Sequence, residues 1–530
     1  MPVNIEAASL ILTAAWGSGV RELCLCAGSR NSPLIAVAAE ATGFRRLAFP
    51  DERSAAFFAL GRAKATGRPA AVVTTSGTAV AELLPAVIEA HYSGLPILLI
   101  TADRPRRYRG TGAPQTIEQN GIFGPYCEIA IDIEAGEAID LSGWTQSGPL
   151  HLNAAFDEPL LDARIPQLHF HEDREQPRSP VPASSQTEAL KSFLEDHRQP
   201  LVIVAHLEEA DRAPTTAFLA ALGAPVYAEA LSGLRESESL RDLLISAGER
   251  ILSRGSFDSV LRIGGVPTLR FWRDLETIHA DLPILSLSPT PFAGLSRGTT
   301  LVASPRQMLP HVRPPRRSMD AFLRKDREMA GRVAKLLDES PTSELAMIRA
   351  LSELIPSGSH IFLGNSLPIR EWDLAATRRP RKFSISANRG ANGIDGAIST
   401  FLGTAMPGRE NWAVVGDLTL MYDLSAPWIV PQLEAGLVLR FVVINNGGGR
   451  IFGRVAALDG VRASNREKFF ENGHDVSFEG WATMWKLPYE RWKVIPSSLD
   501  LPLLCVIEVS PDPAATARLW ERFDEIWRIE

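Results

Sequence analysis

The feature that most constrains the fold is a rhythm in which short apolar, β-branched-rich runs recur between stretches of helical periodicity. Runs at 22–26, 70–75 and 97–101, with a helix-like stretch at 79–92 between the last two, make the βαβ pattern of a largely parallel sheet. Parallel strands need a crossover long enough to hold a helix. The rhythm returns at 201–205, 260–264 and 283–288, and again at 359–363, 412–416, 439–445 and 503–509. Two proline-rich polar stretches separate the sets. One, 172–186 with Pro177, Pro180 and Pro182, reads as a linker; the other, 310–317, precedes a charged helical segment at 319–338. The expected fold class is α/β: three consecutive doubly wound α/β domains with largely parallel sheets, at residues 1–180, 181–335 and 336–530.

The formal net charge of −7 argues against a general nucleic-acid or anionic-membrane surface, since phosphate binding needs a basic footprint. The N-terminus has an early Glu6 and no basic leader, and the apolar run 437–445 is broken by Arg440. That run is far shorter than the ~20 residues of a membrane helix, so no membrane span and a cytoplasmic location are expected. Four cysteines, Cys24, Cys26, Cys127 and Cys505, are too few for a disulfide scaffold. Cys24 and Cys26 alternate within one apolar run and are expected to pack in the core.

The chemistry-bearing residues stand where strands end. Val415-Gly416-Asp417-Leu418-Thr419 follows one expected strand, and Asn445-Asn446-Gly447-Gly448-Gly449 follows the next. A carboxylate and an amide oxygen at the carboxyl ends of neighbouring parallel strands lie where open α/β sheets bind ligands. With a backbone carbonyl from the glycine run they suit Mg²⁺, a hard cation that takes oxygen ligands and shares them with phosphates. The glycines let the backbone approach those phosphates. Taken alone, Gly416-Asp417 is a strand-to-helix turn with an N-cap aspartate.

This pairing resembles the motif of thiamine-diphosphate enzymes, a Gly-Asp start and an Asn-Asn end a little under thirty residues apart. The resemblance implies the thiamine-diphosphate-binding fold, with Mg²⁺, or Mn²⁺ in its place, held by Asp417, Asn446 and the Gly448 carbonyl. Gly416, Leu418, Thr419 and Gly448 would border the cofactor, with Leu418 standing where the motif has glycine. The family also requires a glutamate against the pyrimidine ring, and Asp51-Glu52-Arg53-Ser54-Ala55-Ala56-Phe57 supplies Glu52, followed by Thr74-Thr75-Ser76-Gly77-Thr78-Ala79. A carboxylate hydrogen-bonded to the ring nitrogen N1′ favours the imino tautomer that removes the thiazolium proton. Taken alone, Glu52 is a solvated first-turn carboxylate.

Four further strings narrow the resemblance: Gly28-Ser29-Arg30-Asn31-Ser32-Pro33, Thr101-Ala102-Asp103-Arg104-Pro105, Gly364-Asn365-Ser366-Leu367-Pro368-Ile369-Arg370 and Asn388-Arg389-Gly390-Ala391-Asn392-Gly393-Ile394-Asp395-Gly396. They are similar to those of 2-succinyl-5-enolpyruvyl-6-hydroxy-3-cyclohexene-1-carboxylate synthases, transferases of menaquinone biosynthesis. The implied reaction decarboxylates 2-oxoglutarate on the cofactor and adds the succinyl-carbanion equivalent 1,4 to isochorismate. Both substrates are dianions, which Arg30, Arg104, Arg370 and Arg389 can bind, since a guanidinium grips a carboxylate bidentately; each alone reads as a surface ion pair or, for Arg30, a loop cap.

The resemblance also implies that Gln115 and Ser366 contact substrate, that Ile394 props the cofactor in a bent shape, and that Ile451 and Phe452 wall the reacting carbons. As bare residues these apolar three are core. The family's middle-domain lysine is missing at Pro267-Thr268-Leu269-Arg270, where Arg270 can replace the charge or the register can differ. No histidine stands between Asp103 and Cys127 to protonate an intermediate, which favours capture by a second carbon substrate. A homodimer or homotetramer is implied, with the cofactor shared between the N-terminal domain of one subunit and the C-terminal domain of another. Two other readings are a carboligase of the acetolactate-synthase type, which needs a flavin-binding middle domain that no Gly-x-Gly-x-x-Gly supports here, and a non-catalytic cofactor-binding paralogue.

Overall fold

The computed structural model describes residues 3–171 and 184–528; most of the expected linker at 172–186, including its three prolines, lies outside them. Seventeen strands, all paired in parallel, build three sheets among the described residues. The first sheet comprises β1 (Glu22–Leu25), β2 (Arg45–Ala48), β3 (Ala70–Thr74), β4 (Ile97–Asp103), β5 (Ile129–Glu134) and β6 (Leu150–Ala155). The second has β7 (Pro200–Val204), β8 (Val226–Ala228), β9 (Ser259–Ile263), β10 (Ile284–Ser288) and β11 (Thr299–Val302). The third has β12 (His360–Leu363), β13 (Ser384–Ser386), β14 (Glu410–Gly416), β15 (Val438–Ile444), β16 (Tyr489–Trp492) and β17 (Leu504–Val509).

The strand orders reveal a repeated plan. The outer sheets run β2-β1-β3-β4-β6-β5 and β13-β12-β14-β15-β17-β16, and the middle one β8-β7-β9-β10-β11. All three therefore share the path second, first, third, fourth, the tandem triplication expected from the rhythm of the sequence. In each, the order reverses between first and third strand, which leaves a crevice at the carboxyl edge where such sheets take ligands. The central strands β3, β4, β7, β9 and β10 are buried throughout, because helices cover both faces of a parallel sheet and the strand can be apolar on both.

The residues fall into two compact units. One holds the first sheet, within the described residues of Met1–Pro177, together with Asn388–Gly408 and Leu418–Leu437; the other holds the second and third sheets, within Arg178–Ala387, Arg409–Asp417 and Val438–Glu530. In the first unit the helix Glu52–Thr66 is capped by Asp51, whose side chain accepts the Ser54 N–H, and ends at Gly67 in the left-handed conformation, the usual pair of terminal signals. It crosses the helix Ala397–Thr404 at a pair of glycines. A Cβ on Gly61 would sit 2.3 Å from the Thr400 carbonyl, and one on Gly403 would sit 2.3 Å from the Phe58 carbonyl, so backbone meets backbone there. The expected helix at 79–92 is two helices, Thr78–Ala81 and Leu84–Ser93, because Pro85 has no N–H to continue the first. Cys24 and Cys26 are buried as expected. No helix is long and apolar enough to cross a membrane among the described residues.

Two buried histidines make the fold acid-sensitive. His151 in β6 meets the Thr101 hydroxyl at 2.8 Å and His360 opens β12; burial pushes each from 6.5 down to about 4. Between those values the unfolded chain binds a proton that the folded chain refuses, so stability is lost as pH falls from 6.5 towards 4. Each histidine should cost up to about 3 kcal/mol across that window. Melting temperatures of the cofactor-free protein should drop steeply from pH 6.5 to 4.5, and His151→Gln should flatten the drop; an unchanged slope would contradict this assignment.

Candidate active site

In the first unit, the parallel arrangement brings the motifs after β2, β1, β3 and β4 to one edge. Glu52 follows β2 and opens its helix. Asp51 and Glu52 are neighbours with opposite perturbations: burial acts to raise Asp51, but hydrogen bonds from Ser425 (2.5 Å) and Ser54 (3.1 Å) outweigh it and hold the carboxyl low. Glu52 has no hydroxyl donor of that kind: burial acts to raise it, and although its own backbone N–H opposes this, burial with the nearby Asp51 and Glu82 charges holds its carboxyl above the ordinary range. Environments that split two adjacent carboxyls suit one to structure and the other to proton chemistry.

Arg30 is buried, donates to the Phe156 carbonyl (3.0 Å) and lies 3.3 Å from the exposed Glu158, so its contacts here are with the loop after β6. Arg104 is half-buried and donates through Nε to the Pro114 carbonyl (3.0 Å). Gln115 is exposed and stands at φ +54°, with its Cα 3.2 Å from where a Cβ on Gly77 would be; a glycine there lets the loop carrying Gln115 close over the end of β3. Arg389 and Ile394 are half-buried in the loop that leads to the helix Ala397–Thr404. That loop is pinned by the buried Glu89, which accepts the N–H groups of Gly390 (2.8 Å) and Ala391 (2.7 Å), a role with no sequence signal. Leu418 and Thr419 belong to this unit too, and Thr419 is buried.

In the second unit, Gly416 pairs with Ile444 across β14 and β15, which brings Asp417 and the Asn445-Asn446 turn out at one height. Asp417 is 2 % exposed; its Oδ2 accepts the N–H groups of Gly447 and Gly448, both at 2.9 Å, and His474 stands 3.3 Å away. Gly448, at φ +127°, must be glycine: a Cβ would lie 2.5 Å from the Glu471 carbonyl. Its own carbonyl accepts the Arg450 N–H (2.8 Å) and retains a second lone pair. The Asn446 amide nitrogen donates to Glu344, lying 2.9 and 3.1 Å from its two carboxylate oxygens, and the buried Oδ1 of Asn446 has no hydrogen-bond partner among the described residues. A partnerless buried amide oxygen is costly unless something fills the need. Carboxylate, amide oxygen and backbone carbonyl are the donor set of a hard divalent cation, so the residues present fit Mg²⁺.

Glu344 and Glu371, missed by the sequence reading, lie side by side and fully buried. Burial, then the Asp417 charge, pushes Glu344 up to about 7, and burial with Glu344 beside it lifts Glu371 well above the carboxylate range; two adjacent carboxyls without water cannot both ionise. Glu371 lines a cavity of about 1060 Å³ together with Arg270, Arg273, Arg370, Ile451 and Arg454. Three expected substrate residues, Arg270, Arg370 and Ile451, thus line one cavity. Arg370 donates to the Ser366 carbonyl (2.6 Å), and Ser366 stands at φ +71°, a strained conformation for a non-glycine residue that the surrounding loop must hold in place. Arg270 is placed by its N–H on Glu249 (2.6 Å). Phe452 is exposed and meets Phe470 at 6.2 Å.

Comparison with known proteins agrees with this geometry. The family described as thiamine pyrophosphate enzyme, N-terminal TPP binding domain, matches residues 5–122. A protein of Bdellovibrio bacteriovorus named 2-succinyl-5-enolpyruvyl-6-hydroxy-3-cyclohexene-1-carboxylate synthase is 44 % identical over 99 % of this chain and 99 % of its own. Proteins of the same name from Akkermansia muciniphila (38 % identical, 94 % of this chain and 95 % of that one) and Lysinibacillus sphaericus (31 %, 96 % and 95 %) align almost as fully. With relatives so similar along almost its whole length, the chain belongs to the family of 2-succinyl-5-enolpyruvyl-6-hydroxy-3-cyclohexene-1-carboxylate synthases, enzymes with a thiamine-diphosphate-binding domain.

Proposed function

We propose that this enzyme decarboxylates 2-oxoglutarate and adds the resulting four-carbon unit 1,4 to isochorismate, in the menaquinone pathway, using thiamine diphosphate and Mg²⁺. The observation that carries the reading is the cavity lined by Arg270, Arg370 and Ile451: cations for carboxylates together with an apolar side chain for the reacting carbons. Thiamine diphosphate, when bound, supplies the electron sink for decarboxylation of a 2-oxo acid. Glu52 holds the proton at the pyrimidine ring nitrogen, and burial that raises its carboxyl favours its sharing a proton there. Asp417, Asn446 and the Gly448 carbonyl hold Mg²⁺ on the diphosphate, and Ile394 supports the ring.

Arg370 and Arg270 bind one dianion and Arg30, Arg104 and Arg389 carry positive charge for the other, with Gln115 and Ser366 as polar contacts. Ile451 and Phe452 exclude water, so that carbon rather than a proton takes the new bond. A homodimer or homotetramer, three domains near 1–180, 181–335 and 336–530, and a cytoplasmic location complete the proposal. Retention of Glu52, Asp417 and Asn446 together speaks against a non-catalytic paralogue.

Protein supplied with thiamine diphosphate and Mg²⁺ should consume 2-oxoglutarate, and isochorismate should accelerate turnover; inertness towards both substrates would end this reading. Arg370→Ala removes charge-assisted hydrogen bonds worth ~1.5–3 kcal/mol, so kcat/KM for the substrate it binds should fall about 10- to 100-fold. Unchanged kinetics for both acids would remove Arg370 from the site.

A further inference from the structure

The buried carboxylate of Glu344 has no place in the chemistry above, yet among the described residues it alone hydrogen-bonds the Asn446 side chain. A primary amide can present either its oxygen or its nitrogen to a neighbour, and only the oxygen can ligate Mg²⁺. Glu344 settles that choice here. The Asn446 nitrogen is the atom turned towards the Glu344 carboxyl, within 2.9 and 3.1 Å of its two oxygens, which leaves the amide oxygen pointing the other way. The consequence is a buried Oδ1 without a partner among the described residues, on the same turn as Gly447 and Gly448, whose N–H groups close on Asp417.

Glu344 is itself fixed. It opens the helix Glu344–Leu354, its N–H is held by the Thr516 hydroxyl at 3.0 Å, and the preceding Ser343 is buried and donates to the Ser340 carbonyl at 2.6 Å. Glu371 adjoins it, and both carboxyls are buried. Burying a carboxylate is expensive unless its partners repay the lost hydration, and an isosteric apolar residue would fill the same space without that cost. We propose that Glu344 is the positioning residue of the Mg²⁺ site: by gripping the amide nitrogen of Asn446 it locks the amide oxygen onto the metal. This rests on the reading of Asn446 as a metal ligand.

The test measures the Mg²⁺ concentration at which thiamine diphosphate binds half-maximally, by calorimetry and by quenching of the intrinsic tryptophan fluorescence, on the full-length protein. Outer-shell partners of ligands typically contribute 10- to 100-fold in metal affinity, and Glu344→Gln, whose amide can turn a competing N–H towards Asn446, should raise the Mg²⁺ requirement by about that factor. Asn446→Asp alone should also raise it, because two carboxylates then face each other. The double variant Glu344→Gln with Asn446→Asp restores a donor opposite an acceptor and should return the requirement to within about 3-fold of wild type, a rescue that damage to packing could not produce.

If Glu344→Gln leaves the Mg²⁺ requirement unchanged while Asn446→Asp raises it, the positioning role is wrong and the ligand role stands. The double variant being no better than Asn446→Asp also overturns the positioning role. If Asn446→Ala leaves the requirement unchanged, the ligand reading falls and this proposal falls with it.

Discussion

Glu52→Gln should reduce turnover by about 1,000-fold, within the range of 10²–10⁴ that positioned proton transfer contributes, while leaving the fold intact. The substituted amide keeps the size of the side chain but cannot share a proton with a ring nitrogen. The helix it opens does not depend on it: the cap is Asp51, held by Ser54 and Ser425, and the glycine crossing at Gly61 and Gly403 fixes the helix further along. Because burial already disfavours the charged form of Glu52, a neutral replacement relieves desolvation, and the melting temperature should stay level or rise slightly. Steady-state rates with 2-oxoglutarate and isochorismate, set beside thiamine diphosphate binding, separate the effects. Binding should change by no more than a few-fold while the rate collapses; near-normal turnover would refute the proton-holding role.

Asp417→Ala should abolish useful Mg²⁺ and thiamine diphosphate binding, with affinity falling by more than about 100-fold, the upper end for loss of an outer-shell partner alone. Two effects add. In the proposed site the metal would lose its charged ligand, and the glycine turn would lose the carboxylate that receives the Gly447 and Gly448 N–H groups, so the carbonyl of Gly448 would no longer be held in place. Asp417→Asn separates them, since its side-chain oxygen can still accept the two N–H groups but carries no charge; its affinity should lie between wild type and alanine. Calorimetric titration of thiamine diphosphate at fixed Mg²⁺ reads both, and an unchanged affinity in Asp417→Ala would remove it from the metal site.

The central strands were legible because burial on both faces leaves an unbroken apolar run, as in β4 and β15. The strands at sheet edges were not. Arg45-Arg46-Leu47-Ala48 in β2 has one open side, and exposure dilutes the apolar signal on which the pattern depends. β6 is interior yet was missed, since His151 and Asn153 interrupt it; both are buried because they bond to the Thr101 hydroxyl at 2.8 Å, a match invisible until β4 and β6 are side by side.

The candidate site divides in the same way. Asp417 and Asn446 were readable because motifs placed just after strands inherit a known location from a parallel sheet. Glu344 was not, for it reads as an ordinary first-turn acid favoured by the helix dipole, and its contact with Asn446 joins positions 102 residues apart. Likewise nothing local announces that the helix Ala397–Thr404 packs on Glu52–Thr66; only the paired glycines permit the approach.

A crystal structure of the protein with thiamine diphosphate and Mg²⁺ bound reads both ends of the cofactor at once. The metal should lie about 2.0–2.1 Å from Asp417, the Asn446 amide oxygen and the Gly448 carbonyl, with a Glu52 carboxylate about 2.6–3.2 Å from the pyrimidine ring nitrogen. A diphosphate bound away from Asp417, or a ring nitrogen that no Glu52 reaches, would contradict the account.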